Sequence, residues 1–235
     1  MKDYTFKILR FNPERDSRAV FRGYNVPVRQ GGTVLDGLFY IHKWIDPSLA
    51  FRFSCRGSVC GSCAMNIDGS FRLACETQVK DLHDTVTIRP LSHLPVIRDL
   101  VVNMDRFWAH YEKIKPYLVS NSLSARENRM GRDERKRLDG LIECILCGLC
   151  FGACPLTSLN EDYLGPAALL KLERFARDSR DTYDKNIDIG ASRDGVLGCR
   201  KAFSCQEVCP KKLSPARAIN SNKHQKFKNK LTAKK

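Results

Sequence analysis

Cysteine is the residue through which this sequence can do most of its chemistry. The chain carries 11 cysteines in three tight groups: Cys55, Cys60, Cys63 and Cys75; Cys144, Cys147, Cys150 and Cys154; and Cys199, Cys205 and Cys209. A thiolate is both a nucleophile and a soft metal ligand. The amino-terminal stretch MKDYTFKILRFNPERD puts charges where a signal peptide needs an apolar run, so no export is indicated. In a compartment that keeps thiols reduced, an odd number of cysteines argues against a disulfide framework. The bland reading of such a cysteine is a small buried hydrophobe, but that predicts scattered positions rather than groups. Metal or cluster ligation is the leading expectation.

The spacings sharpen it. Cys55-Arg-Gly-Ser-Val-Cys60-Gly-Ser-Cys63 has the Cys-x4-Cys-x2-Cys pattern of plant-type ferredoxins, with Cys75 available as a fourth ligand to a [2Fe-2S] cluster. Gly57, Ser58 and Gly61 keep that loop small and leave backbone N–H groups able to face the cluster sulfurs, one of the influences on reduction potential. A four-cysteine zinc site would show two paired knuckles, which the x4 and x11 intervals fit poorly.

The other two groups form one repeat. Cys144-Ile-Leu-Cys147-Gly-Leu-Cys150-Phe-Gly-Ala-Cys154-Pro155 is the bacterial ferredoxin run, in which three thiolates bind one cluster and the fourth reaches the other. Displaced by 55 residues, Cys199, Ala202, Cys205 and Cys209-Pro210 stand in register with it. Crossed ligation assigns Cys144, Cys147, Cys150 and Cys209 to a [4Fe-4S] cluster. It leaves Cys154, Cys199 and Cys205 for a second cluster whose fourth corner falls on Ala202, which has no ligating atom. That cluster is therefore expected to be [3Fe-4S]. Three clusters serve single-electron transfer, and no catalytic nucleophile and base pairing is evident. His42, His83, His93, His110 and His224 lie outside the cysteine runs and read as surface or structural residues.

The elements that must position these thiols change along the chain. Tyr4, Phe6 and Ile8 alternate as one strand, and Tyr24, Val26 and Val28 as a second. Thr33 with Asp36 resembles a capping box opening a helix from about 34 to 45, with Val34, Leu38, Ile41 and Ile45 on one face. Residues 64–67 and 70–74 flank Asp68-Gly69, a tight hairpin turn that brings Cys75 back toward the first group. Val86 and Ile88 mark a last strand, so the first part reads as a mixed sheet on a helix. From Val96 the apolar spacing through Ile97, Leu100, Val101, Met104, Trp108 and Tyr111 predicts a helix as far as Pro116. A domain of residues 1–95 is thus expected, and a mainly helical one over 104–235. In the latter, Pro166 to Ala176 forms a helix with Ala168, Leu169, Leu172 and Phe175 on one side, and 120–137 reads as a solvated loop leading into a helix.

With 43% hydrophobic and 28% charged residues, the chain can bury a proper core. Its longest uncharged stretch, Cys144 to Asn160, is too short and too interrupted to span a bilayer. Of the net charge of +14, nine charges fall on Lys211 to Lys235, which holds eight lysines, one arginine and no acid. A zinc-stabilised nucleic-acid binder would use that charge, but it leaves the Cys-Pro endings and the register of the repeat without a role, and only Phe227 interleaves the tail. Docking near an anionic membrane face accounts for the tail better, and no nucleic-acid partner is expected.

These residues, with SCRGSVCGSCAMNIDG (54–69), ECILCGLCFGACP (143–155), GPAALL (165–170), DSRD (178–181) and CQEVCPK (205–211), closely resemble the iron-sulfur subunits of succinate dehydrogenase and fumarate reductase, respiratory complex II. The resemblance covers nearly the whole chain. It implies an α+β architecture, with an N-terminal plant-ferredoxin-like β-grasp domain and a C-terminal, mainly α-helical bacterial-ferredoxin domain. It also implies electron transfer between the FAD of a partner flavoprotein and a membrane quinone. Further implied partners are one or more membrane-anchor subunits, haem b being among the groups such anchors can carry. The position implied is peripheral, on the cytoplasmic side of the bacterial inner membrane.

Pro155 and Lys223 match a pocket proline and a lysine near the family's quinone, which binds at the subunit interface; as a bare residue, Lys223 is one more charge in the tail. The stretch Pro155-Leu156-Thr157-Ser158-Leu159 lacks the tryptophans of ubiquinone-linked members, and Cys199-Arg200 lacks their histidine. Menaquinone is the better expectation. An electron-transfer subunit of heterodisulfide reductase or glycolate oxidase type shares the cysteine motifs but not GPAALL and DSRD.

Overall fold

The computed structural model describes residues 2–120, 126–182 and 192–232, apart from the side chains of 224–232. The chain forms two compact units, Met1–Met104 with Ile145–Ala153, and Asp105–Cys144 with Cys154–Lys235.

In the first unit, β1 (Lys2–Arg10) and β2 (Val20–Val28) run antiparallel with Phe6 opposite Tyr24. Tyr4, Phe6, Ile8, Tyr24, Val26 and Val28 are buried, as their alternation requires. Each large side chain in that layer contributes about 1.5–3 kcal/mol by leaving water. Helix α1 (Val34–Tyr40) starts at the expected box: the Asp36 N–H donates to Thr33 Oγ1 at 3.2 Å and the Thr33 N–H to Asp36 Oδ2 at 2.8 Å. The chain then widens through Ile41–Ile45, where the Asp46 N–H reaches back five residues to the Ile41 carbonyl. Strands β3 (Ala64–Ile67) and β4 (Ser70–Leu73) form the hairpin, turning on Asp68 and Gly69, both left-handed. Strand β5 (Thr85–Arg89) pairs parallel to β1, giving the order β2-β1-β5-β3-β4. A mixed sheet carrying a helix is the β-grasp arrangement expected.

Residues 96–102 correct the sequence reading. Where the apolar spacing predicts a helix, β6 (Val96–Arg98) and β7 (Val101–Val102) form a small hairpin. The reason lies at Asp99, left-handed with φ 48° and buried. Its carboxylate accepts from Arg10 Nε at 2.9 Å, the Phe11 N–H at 3.0 Å and the Ala50 N–H at 2.9 Å. A carboxylate with three donors outweighs a weak helical pattern. The helix begins only at α2 (Asp105–Lys113).

After α2 come α3 (Arg132–Lys136), α4 (Leu149–Gly152), α5 (Leu156–Leu159), α6 (Gly165–Ala176), α7 (Ser204–Glu207) and α8 (Pro215–Thr232). Helix α4 belongs to the first unit; the others belong to the second. Helix α6 packs against α2 and α8. It is buried on more than the one side expected, with every residue from Gly165 to Leu170 inside. Ile114, Tyr163, Leu169, Leu172, Val196 and Ile219 form much of this core. At the end of α6, the fully buried Glu173 carboxylate pairs with Arg177 at 2.5 Å, and Asp178 of the DSRD motif pairs with Arg174 at 3.2 Å and Arg180 at 2.8 Å. These arginines hold the Asp178 carboxyl below its usual value, Arg180 foremost.

Most of the basic tail lies in α8, where the side chains beyond Lys223 fall outside the described residues. Among the described residues, no helix is long and apolar enough to cross a membrane.

Candidate metal centres

The first group sits in a loop whose backbone closes around its own thiols. Cys63 immediately precedes β3, and Cys75 follows β4 by two residues, so the pairing of Ala64 with Leu73 brings them together. Arg56, Ser58 and Gly61 are left-handed, which turns successive N–H groups inward. The N–H groups of Cys60, Val59 and Gly57 point at Cys55 Sγ from 3.2, 3.3 and 3.4 Å. The Ser58 N–H points at Cys75 Sγ from 3.4 Å, that of Cys55 at Cys60 Sγ from 3.4 Å and that of Cys75 at Cys63 Sγ from 3.5 Å. A ring of donors around four sulfurs suits thiolates that carry negative charge in a cluster.

The four thiols differ. Cys55 is exposed and Cys63 buried. The Ser62 hydroxyl and then the Cys55 N–H draw the Cys60 thiol down to about 6, whereas burial pushes Cys63 up to about 12. Gly61 is required twice over. Its φ is +74°, and a Cβ there would lie 2.6 Å from Cys147 Cβ and 2.8 Å from Cys147 Cα.

The repeat is as plain in the backbone as in the cysteines. Leu146 and Lys201, 55 residues apart, are left-handed at φ 54° and 59°, and so are Gly148 and Phe203 at 80° and 60°. Helices α4 and α7 follow in the same register. Cys147 and Cys150 lie in the first unit, and Cys144 and Cys209 in the second. Cys144 and Cys209 pack on one apolar cluster, Leu141, Leu170, Leu213 and Ala218.

Cys154, Cys199 and Cys205 line a single pocket in the second unit, and Ala202 lines it with them. Its floor is buried, with Tyr163, Pro166, Ala216 and Ile219, while Pro155, Ala202 and Phe203 are exposed at the rim. Burial raises the Cys154 thiol and pushes Cys205 up to about 12, and charge on the neighbouring thiols adds to both shifts. The Lys201 N–H faces Cys199 Sγ at 3.5 Å, and Lys223 Nζ donates to the Cys199 carbonyl at 2.9 Å. Sequence reasoning missed Tyr163, because a tyrosine before Leu164-Gly165-Pro166 reads as ordinary core. Its part in the pocket comes from packing alone.

Among the described residues, no three or more His, Cys, Asp or Glu converge tightly enough to hold a single ion. A cluster of several iron atoms asks for a wider ring of thiolates. No disulfide joins any of the eleven cysteines. His42 Nδ1 contacts the Leu49 carbonyl at 3.1 Å, and burial lowers the His110 ring's affinity for a proton, so both serve the fold.

A β-grasp unit with a thiol loop, a helical unit and a doubled cysteine run, all in one chain, define a multi-cluster iron-sulfur protein. Residues 5–109 match the 2Fe-2S iron-sulfur cluster binding domain and residues 140–213 the 4Fe-4S dicluster domain. The chain is 44% identical over 220 residues to the succinate dehydrogenase iron-sulfur subunit of Coxiella burnetii, covering 92% of this chain and 93% of that one. It is 37% identical over 236 residues to the fumarate reductase iron-sulfur subunit of Haemophilus influenzae, covering 94% and 92%. A chain of the Mycobacterium smegmatis Sdh1 complex in the apo form superposes with TM-score 0.88 at 28% identity, covering 97% of each chain. The chain belongs to the family of succinate dehydrogenase and fumarate reductase iron-sulfur subunits, and it is an electron-transfer subunit of an oxidoreductase.

Proposed function

We propose that the chain carries electrons between the FAD of a succinate- or fumarate-converting flavoprotein and a membrane quinone, with menaquinone as that quinone. In this reading Cys55, Cys60, Cys63 and Cys75 hold a [2Fe-2S] cluster, Cys144, Cys147, Cys150 and Cys209 a [4Fe-4S] cluster, and Cys154, Cys199 and Cys205 a [3Fe-4S] cluster. The clusters supply one-electron redox capacity. The protein's own residues supply thiolates, backbone donors and exclusion of water.

One observation carries the reading: Ala202 lines the pocket of Cys154, Cys199 and Cys205 at the place where the repeat has Cys147. A methyl group there offers no fourth ligand. Lys223, fixed on the Cys199 carbonyl, and Pro155, on the pocket rim, are the residues that would meet the quinone. The same reading includes a partner flavoprotein, one or more membrane-anchor subunits, haem b as a group such an anchor can carry, and a place on the cytoplasmic face of the membrane; family membership supports it. The departures at Leu156-Thr157-Ser158-Leu159 and Arg200 support menaquinone and fumarate reduction.

The test is purification of the intact complex with assays of quinol:fumarate and succinate:quinone activity against menaquinone and ubiquinone analogues. Faster turnover with the naphthoquinone supports the assignment. Preference for the benzoquinone overturns menaquinone, and no activity with either overturns the complex II reading.

A further inference from the structure

Tyr163 lies on the floor of the pocket that Cys154, Cys199 and Cys205 line, and it is 1% exposed. Its hydroxyl is buried and makes no hydrogen bond of ordinary geometry, although Cys199 is near enough to weigh on its ionisation. A buried hydroxyl without a partner calls for a reason, because it has given up water and received nothing. The side chain is firmly held. The Tyr163 N–H donates to the Asn160 carbonyl at 3.2 Å, and the Leu164 N–H to the Asp194 carbonyl at 2.9 Å. Asn160 Nδ2 in turn bonds Asp194 Oδ1 at 2.9 Å. Gly198, just before Cys199, lies so close to the ring that a Cβ there would stand 2.9 Å from Tyr163 Cδ2.

An ordinary phenol ionises only near about 10, so at neutral pH this one carries its proton and can donate one hydrogen bond. Among the residues that line the pocket with it, Cys154, Cys199 and Cys205 present sulfur.

We propose that Tyr163 is a positioning residue for the cluster held by Cys154, Cys199 and Cys205, its hydroxyl donating a hydrogen bond to a sulfur of that cluster and thereby holding up its reduction potential. The proposal rests on the ligand assignment above, but not on whether that cluster has three irons or four. The one-electron-reduced cluster is the more negative form and accepts the bond more strongly, so the bond favours reduction. As in the loop of the first unit, backbone N–H groups face thiols here, that of Lys201 toward Cys199, those of Leu156 and Thr157 toward Cys154 and that of Ala216 toward Cys205. The Tyr163 hydroxyl adds a side-chain donor to them.

The test is an EPR redox titration of the intact complex bearing Tyr163→Phe, which keeps the ring and removes the hydroxyl. At the wild-type midpoint the ratio of reduced to oxidised cluster should fall about tenfold, a shift of about 59 mV for one electron. The midpoints of the other two clusters should stay in place. Pulsed ENDOR after exchange into heavy water should show one strongly coupled exchangeable proton in the wild type that Tyr163→Phe lacks. Replacement of Tyr163 by 3-fluorotyrosine, a more acidic donor of nearly the same shape, should move the midpoint upward; it decides the matter if the phenylalanine variant fails to hold its cluster. An unmoved midpoint with the coupled proton retained in Tyr163→Phe, or an unmoved midpoint with fluorotyrosine, overturns the proposal. A four-iron spectrum from the wild-type site would overturn the trinuclear assignment while leaving the Tyr163 comparison readable.

Discussion

Around Cys55, Cys60 and Cys63 the donors that face sulfur come from within the loop itself, backbone N–H groups turned inward by left-handed residues a few positions apart together with the Ser62 hydroxyl. Around Cys154, Cys199 and Cys205 the walls are side chains from segments tens of residues apart, and the floor is a fully buried tyrosine. The first site is assembled by local geometry, so a dozen residues specify most of it. The second exists only once α6 and α8 have packed. The one should tolerate changes in distant core packing, whereas the other should register them. Exposure differs in the same sense: Cys55 meets solvent, while Cys154 and Cys205 do not.

The largest expected effect breaks the pocket's side of this contrast. Ala202→Cys places a thiol at the position in register with Cys147, and the cluster should convert from three irons to four. Iron per chain should rise by about one in this expectation, and the EPR signal of the oxidised trinuclear cluster should vanish. Persistence of that signal with no gain of iron would show the vacant corner to be misassigned. The 55–75 loop should be untouched.

Asp99 comes next, because it ties the loop's approach to the sheet. Removing its carboxylate by Asp99→Ala leaves Arg10, 7% exposed, with Asp46 as its remaining ion pair, and leaves the Phe11 and Ala50 N–H groups without their acceptor. A loss of about 3 kcal/mol is expected, the lower end for a broken buried pair because Asp46 remains. Denaturant unfolding followed by circular dichroism measures it, and visible absorbance should report early release of the cluster nearest the loop. A change under about 0.5 kcal/mol would place the network among surface pairs of no consequence.

Gly61→Ala asks how far the loop's backbone geometry is its own. A methyl at φ +74° meets Cys147 at 2.6 Å, so the loop must shift or the α4 approach must yield. An L-residue held left-handed adds about 1–2 kcal/mol of strain. Reduced [2Fe-2S] occupancy, read from EPR spin counts, should accompany a smaller loss of stability. Full occupancy would mean that the loop absorbs the change without its N–H ring.

The contrast also explains what could be read in the sequence. The thiol loop, the hairpin at Asp68-Gly69, the capping box at Thr33 and the repeat of 55 residues are local or periodic, and spacing alone exposes them. Residues 96–102 misled because a hairpin and a helix can share apolar intervals, and what separated them was Asp99 meeting Arg10, 89 residues away. Tyr163 was invisible for a related reason. Its role depends on Cys154 and Cys199 arriving from either side, and no short window contains all three. Helix α6 likewise concealed how much of its surface is buried, since only packing against α2 and α8 covers the second face.

Acid should separate the two regions by a smaller margin. Burial disfavours the charged Asp46 carboxylate, yet the Ser48 hydroxyl, Arg10 and Tyr24 together hold it well below the usual carboxylate range. A carboxyl depressed in the folded state stabilises fully above its unfolded value, near 3.9, and loses that contribution as pH falls through the folded value. Asp46→Asn should therefore be less stable than wild type at pH 7, and the gap should narrow steadily below about pH 4. Thermal melts across that range, read at the absorbance of each cluster, check it. The narrowing should appear in the release of the [2Fe-2S] cluster, whose loop follows Asp46 in the same unit, and should be weaker at the Cys154, Cys199 and Cys205 pocket, which belongs to the other. A gap independent of pH would mean that Asp46 acts through packing and hydrogen bonding rather than through its charge.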